Sequence, residues 1–258
     1  MDRMILIAAL CGLLVHVSVA KDLVGGPIKP PSYDVLKTIP PKNETANNIA
    51  KHFLGRTSGI HGPPSSQDTY VYNVAYIIDD SGSIGNKSFQ QGITALRMMI
   101  DRKGDRSDYA AIKFSTTASV LFPFVLGCQA RQKLLNVPYT GGASNTQAAL
   151  RLARTELFEN PNSGITPGGG RSALVMTDGQ SNINKTQTIP QAHLLKAAGV
   201  EVFVLAVGKY TSAAIQEMRG ICSSPYQDHL FRVADFKSFV DVVKLIPTSN
   251  NLLPCKET

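Results

Sequence analysis

The sequence predicts an α/β fold: a mostly parallel sheet of six strands with helices on both faces. Three observations predict it. From Tyr70 onward, short apolar runs alternate with stretches whose apolar residues recur at helical spacing, the pattern of strand-helix-strand units. Two of the runs are separated only by the polar turn 115–119, too short for a crossover, so they pair as an antiparallel hairpin. Two others end in turns carrying a carboxylate, Asp79 and Asp178, and open α/β sheets bind their ligands beyond the carboxyl ends of strands.

The elements follow in order. Residues 71–78 form the first buried strand, and Phe89, Ile93, Leu96, Met99 and Ile100 give the next segment one apolar helical face. Residues 109–114 and 120–124 are the hairpin strands. A short helix over 131–135 ends before Pro138, and a glycine turn over 139–146 opens a helix that stops before Pro161. Residues 173–176 make the next strand. A helix (191–198), strand (202–207), helix (212–218), strand (230–233) and helix (236–245) complete the count.

Ahead of this domain, residues 4–17 are apolar behind a short charged start, and Ser18-Val19-Ala20 has small residues at the cleavage positions. Residues 1–20 read as a signal peptide cut after Ala20, which predicts a secreted chain. Residues 21–69, with Pro30-Pro31, Pro40-Pro41 and Pro63-Pro64, read as a flexible Pro/Gly-rich leader. Within it Ala46, Ile49, Ala50, Phe53 and Leu54 have the spacing of a short helical turn, which either docks on the domain or does nothing. No later stretch has the length of a transmembrane span.

A hydrophobic content of 43% supplies a core, and the formal charge of +7 favours acidic partners such as sulfated glycans. No nucleic-acid motif is present. Asn43, Asn86 and Asn184 each begin an N-x-[ST] sequon. Cys11 leaves with the signal peptide; Cys128, Cys222 and Cys255 then allow one bridge and one spare thiol, or a disulfide link to another chain. None of the mature histidines, His52, His61, His193 and His229, sits in a nucleophile motif, so no enzyme is expected.

The stretch Asp79-Asp80-Ser81-Gly82-Ser83-Ile84-Gly85 carries the chemistry. Asp79, Ser81 and Ser83 lie at i, i+2 and i+4, which sets three oxygen ligands on one side of an extended turn. Oxygen-only donors suit a hard divalent cation: Mg²⁺, Ca²⁺ or Mn²⁺. An EF-hand is excluded because the position that needs a bidentate Glu is Gln90. The G-x-S-x-G elbow and the phosphate loop are absent.

DDSGSIG after the first strand, GGASNTQAAL opening a mid-chain helix and VMTDGQS after a later strand together resemble the von Willebrand factor type A domain, over about residues 70–247. The resemblance implies a doubly wound, Rossmann-like sheet with one antiparallel edge strand, followed here by a tail over 248–258. It also implies a metal-ion-dependent adhesion site on the top face. By matching position, Asp79, Ser81, Ser83 and Asp178 are its ligands. Ser144 stands where the family usually has threonine, and Thr146 is the alternative ligand. Asp80 fills a variable slot and is expected to be solvated.

By analogy with that fold, Cys128 and Cys222 lie at opposite edges, out of reach of each other, while Cys255 on the tail can reach either, with Cys222 the preferred partner. The expected function is a secreted, divalent-metal-dependent adhesion module of the extracellular matrix, recognising a collagen-like or other extracellular protein through a metal-bridged carboxylate. The alternative is a structural component of an extracellular matrix, mineralised matrices included, in which the domain mediates assembly.

Overall fold

The structure is a computed structural model that describes residues 38–56, 59–61, 71–104, 107–250 and 252. The expected signal peptide, much of the leader and Cys255 lie outside these residues. Six strands, β1 (Tyr72–Asp79), β2 (Asp108–Phe114), β3 (Ala118–Leu126), β4 (Gly170–Thr177), β5 (Glu201–Val207) and β6 (Leu230–Val233), form one sheet in the order β3-β2-β1-β4-β5-β6. Every pairing is parallel except β2 with β3. β3 lies at an edge, where Pro123, which has no N–H to give a ladder, is tolerated.

The helices are α1 (Lys42–Asn48), α2 (Asn86–Lys103), α3 (Gly127–Lys133), α4 (Thr146–Leu152), α5 (Thr188–Ala197), α6 (Ser212–Ile221), α7 (Tyr226–His229) and α8 (Phe236–Lys244). α1 runs on into a wider turn over Ile49–Phe53, and α4 into one over Ala153–Phe158.

Alternation along β1 divides the core. Val74, Tyr76 and Ile78 face a layer built from α1, α2 and α8, whereas Ala75 and Ile77 face α4, α5 and α6. α2 approaches the sheet closely at Gly92, where a Cβ would fall 2.8 Å from Met176 Cε and 3.0 Å from Phe236 Cδ1.

Part of the expected flexible leader is ordered: the helical turn named within it is present, Lys42–Phe53 is helical and packed, and Ala46, Ile49, Ala50, Phe53 and Leu54 are all in the core. Their helical spacing gives one apolar face, and that face docks on β6 and α8 rather than staying in water.

Candidate metal centre

The chain leaves β1 toward β2 and β3 on one side and returns to β4 on the other, so β1 and β4 flank the point where the strand order reverses. Asp79 is the last residue of β1, and Asp178 follows directly on β4. Their adjacency places both carboxylates in the crevice that such folds use for ligands.

The Asp79 side chain is fully buried. Its Oδ1 accepts from the Ser81 N–H at 2.9 Å, and its Oδ2 accepts from Thr177 Oγ1 at 2.7 Å. Ser81 and Ser83 share a hydroxyl contact of 3.2 Å, and Ser83 Oγ donates to Asp178 Oδ1 at 2.9 Å. Asp79, Ser81, Ser83 and Asp178 therefore form one connected cluster of oxygens.

The glycine turn is bound to this cluster through its backbone. Gly82 N–H donates to Gly142 O at 2.8 Å, and Gly142 holds φ at +114°, where a Cβ would fall 2.6 Å from Thr116 Oγ1. Only glycine suits that position. Ser144 N–H donates to Asn182 Oδ1 at 2.9 Å, and Ser144 O accepts from Asn182 N–H at 3.0 Å. Ser181 N–H in turn donates to the buried Glu217 Oε1 at 2.7 Å. The hydroxyls of Ser144 and Thr146, both buried residues, make no hydrogen bond among the described residues.

Asp80 is not solvated as expected. It is fully buried and lies 3.1 Å from Lys113 Nζ, while its Oδ2 accepts from Thr140 N–H at 3.1 Å and from Thr140 Oγ1. Lys113 also donates to Pro138 O at 2.7 Å, and Tyr139 OH donates to Ser81 O at 3.0 Å. Asp80 thus ties the start of the glycine turn to the first loop. Thr177, Asn182, Glu217 and the Asp80–Lys113 pair were not singled out by sequence reasoning. Thr177 alone had a local signal, since it precedes Asp178.

Burial pushes the Asp79 carboxyl up to about 6, even though the Thr177 and Ser81 hydrogen bonds favour its charged form. Burial likewise raises Asp178, against the Ser83 bond. No cationic side chain contributes to either shift. The donors suit a small hard cation: neighbouring ligands of an octahedral site with bonds near 2.1 Å lie about 3 Å apart, and the contacts here are 2.9 and 3.2 Å. No group of three His, Cys, Asp or Glu fit for a metal occurs among the described residues, so hydroxyls would complete the set.

Asn86, at the first position of α2 just after the Asp79–Gly85 loop, and Asn184, at φ +46° in the loop after β4, are both exposed; Asn43 is exposed in the first turn of α1. The preference for Cys222 as the bridged cysteine is corrected in favour of the alternative, Cys128. Cys222 is a free, buried thiol, whereas Cys128 is disulfide-bonded to a partner outside the described residues. Burial pushes the Cys222 thiol up to about 11, so it is poorly placed to cross-link chains.

Fold and site together define a class: an open α/β sheet domain that presents an oxygen-donor cluster at its switch point. Residues 73–245 match the von Willebrand factor type A domain, and the chain belongs to that family. It is 26% identical over 180 residues to the mouse collagen alpha-4(VI) chain, covering 67% of this chain and 8% of that protein. It is 29% identical over 181 residues to mouse matrilin-1, covering 67% of this chain and 34% of that one. The chain thus spans about a third or less of these relatives. Among solved structures, proximal thread matrix protein 1 from the mussel byssus, with a zinc-occupied MIDAS motif, superposes with a TM-score of 0.59 at 20% identity, covering 69% of this chain and 47% of that one.

Proposed function

We propose that this domain is a divalent-metal-dependent adhesion module that binds an extracellular protein ligand. The observation that carries the reading is the pair of carboxylates, Asp79 and Asp178, brought into one oxygen cluster at the switch point with no cationic side chain among the described residues to balance them. Asp79, Ser81, Ser83 and Asp178 would hold the ion, with the uncommitted hydroxyl of Ser144 or Thr146 as a further donor. Mg²⁺, Ca²⁺ and Mn²⁺ all suit such donors. With two carboxylates and otherwise neutral ligands, the bound cation offers an open position to a carboxylate of the partner.

Relatives named as a collagen chain and a matrilin, and a neighbour whose zinc occupies a MIDAS motif, support a matrix-binding role. They also favour the second reading, an assembly role within the matrix. Secretion after cleavage at Ala20 and glycans on Asn86 and Asn184 belong to the proposal, the sugars bordering the metal face and restricting large partners. No described helix is long and apolar enough to cross a membrane.

The test is retention of the full chain on extracellular matrix with and without chelator, beside titration with Mn²⁺. Native protein is expected to bind the ion and to lose matrix retention in chelator. Asp79→Ala should weaken ion binding by about tenfold or more, the scale of one lost charged ligand interaction. Retention that ignores both chelator and Asp79→Ala would remove the metal bridge and leave the assembly role.

A further inference from the structure

A pocket lies at the other end of the sheet. α5 ends at Ala197 just before β5, and α6 ends at Ile221 just after Arg219. The segment after α6 is fixed to the amino-terminal end of β5: Ser223 N–H donates to Val202 O at 2.8 Å, and Val202 N–H donates to Ser223 Oγ at 2.9 Å. Between these elements is an open pocket of about 480 Å³, and its lining includes His193, Lys196, Arg219 and Tyr226. The metal centre, by contrast, sits at the carboxyl ends of β1 and β4.

The pocket is built for negative charge. None of its lining residues is acidic, and three can carry positive charge. Lys196 Nζ donates to Gly220 O and Cys222 O, each at 3.0 Å, which fixes the ammonium in place and leaves its third N–H uncommitted. The Arg219 guanidinium lies over the Tyr226 ring, 4.3 Å from its centroid, so its fork is also held by a flat support. His193 precedes Lys196 by one helical turn, on the same side of α5, and is exposed. Glu201, the carboxylate at the start of β5, is taken up by His229 at 2.8 Å and does not neutralise the three.

We propose that this pocket binds an oxyanion group of an acidic glycan, a sulfate ester or a uronate carboxylate. Lys196 and Arg219 contact the anion, and the exposed His193 ring adds a hydrogen-bonding edge at the mouth. The open mouth admits one residue of a longer chain while the polymer continues past the surface, and the net charge of +7 draws a polyanion toward the protein. Binding here is independent of the divalent ion, so the domain would hold a protein at one end of the sheet and a polysaccharide at the other.

The experiment measures binding of heparin, of hyaluronan and of free sulfate to the full chain at fixed salt, in chelator throughout. Native protein is expected to bind a polyanion. His193→Ala with Arg219→Ala should lower affinity by about tenfold or more, from loss of charge-assisted contacts, with an unchanged melting temperature. Preference for heparin assigns the sulfate ester, and equal binding of hyaluronan assigns the carboxylate. Two exposed lysines on α8 serve as the control for general positive charge. The proposal is overturned if the double variant binds as the native protein does, or if Lys237→Ala with Lys244→Ala weakens binding as much. Because chelator is present in every arm, failure here leaves the metal-bridge reading intact, and failure of that reading leaves this one.

Discussion

Asp80 and Lys113 are the charged contact from which the glycine turn hangs. The lysine side chain is 10% exposed and the aspartate 0%, so each ion depends on its partner for what water no longer supplies. Lys113→Met would leave the carboxylate buried among Thr140 donors with no cation. It should destabilise the fold by about 3–5 kcal/mol, the usual cost of stranding one half of a buried pair. Urea unfolding checks this, and a midpoint equal to that of the native protein would contradict it. Asp80→Leu with Lys113→Met should recover much of the stability while freeing the turn that carries Ser144. This contact also marks where the sequence stopped being informative. The i, i+2, i+4 oxygens of Asp79, Ser81 and Ser83 are a local pattern and can be read directly. Asp80 looked solvated because its partner lies on a neighbouring strand, 33 positions along the chain, and only the β1–β2 register brings Lys113 beside it. Glu217 was hidden for the same reason: an acidic residue on an amphipathic helix reads as surface until the 178–183 loop is folded over it.

At the scale of elements, the strands were legible because both faces of the sheet are covered, so each reads as a nearly continuous apolar run. Helix ends were less so. The helix expected over 131–135 is α3 at Gly127–Lys133, starting directly from the edge strand, and α6 runs on to Ile221. Between α6 and β6 the short α7 holds β5 through a single side chain. His229 Nδ1 lies 2.8 Å from Pro225 O and Nε2 lies 2.8 Å from Glu201 Oε1. Two acceptors on one ring require a proton on each nitrogen. Burial alone would lower the His229 pKa, but the Glu201 and Pro225 contacts outweigh it, and the group is raised above 6.5. The stability it contributes is therefore fully present below its unfolded pKa of about 6.5 and is lost as pH rises through the folded value. Chemical denaturation from pH 6 to pH 9 should show stability falling for the native protein. Glu201→Gln should flatten that fall, and the difference between the two curves isolates this group from the other titrating residues. Parallel curves would show that the imidazolium does not join α7 to β5.

The whole molecule is larger than the family match that identifies it. Residues 73–245 match the von Willebrand factor type A domain, but the core also contains Ala46, Ile49, Ala50, Phe53 and Leu54 from ahead of that range. Phe53 meets Phe203 of β5 edge-on at 5.1 Å between ring centroids. Arg56 Nη2 donates to Arg102 O at 2.6 Å and Pro247 O at 2.7 Å, tying this segment to the end of α2 and to the chain beyond α8. The Lys42–Asp241 bridge is open to solvent, where an ion pair is screened and adds little, so it is not what holds the segment down. Burial of Phe53, Ile49 and Leu54, at about 1.5–3 kcal/mol each before the entropy of ordering, is the larger effect. Lys42→Ala should accordingly leave the urea midpoint nearly unchanged, whereas Phe53→Ala should cost about 3–5 kcal/mol by leaving a cavity against Phe203. A chain cut to residues 73–245 should unfold at lower urea than the full chain and should bind a hydrophobic dye through the uncovered surface of β5, β6 and α8. If the shortened chain keeps the native midpoint and binds no dye, the segment is an ornament on a self-sufficient domain; if not, the folding unit includes Lys42–Phe53, and α8 is held between two parts of the same chain.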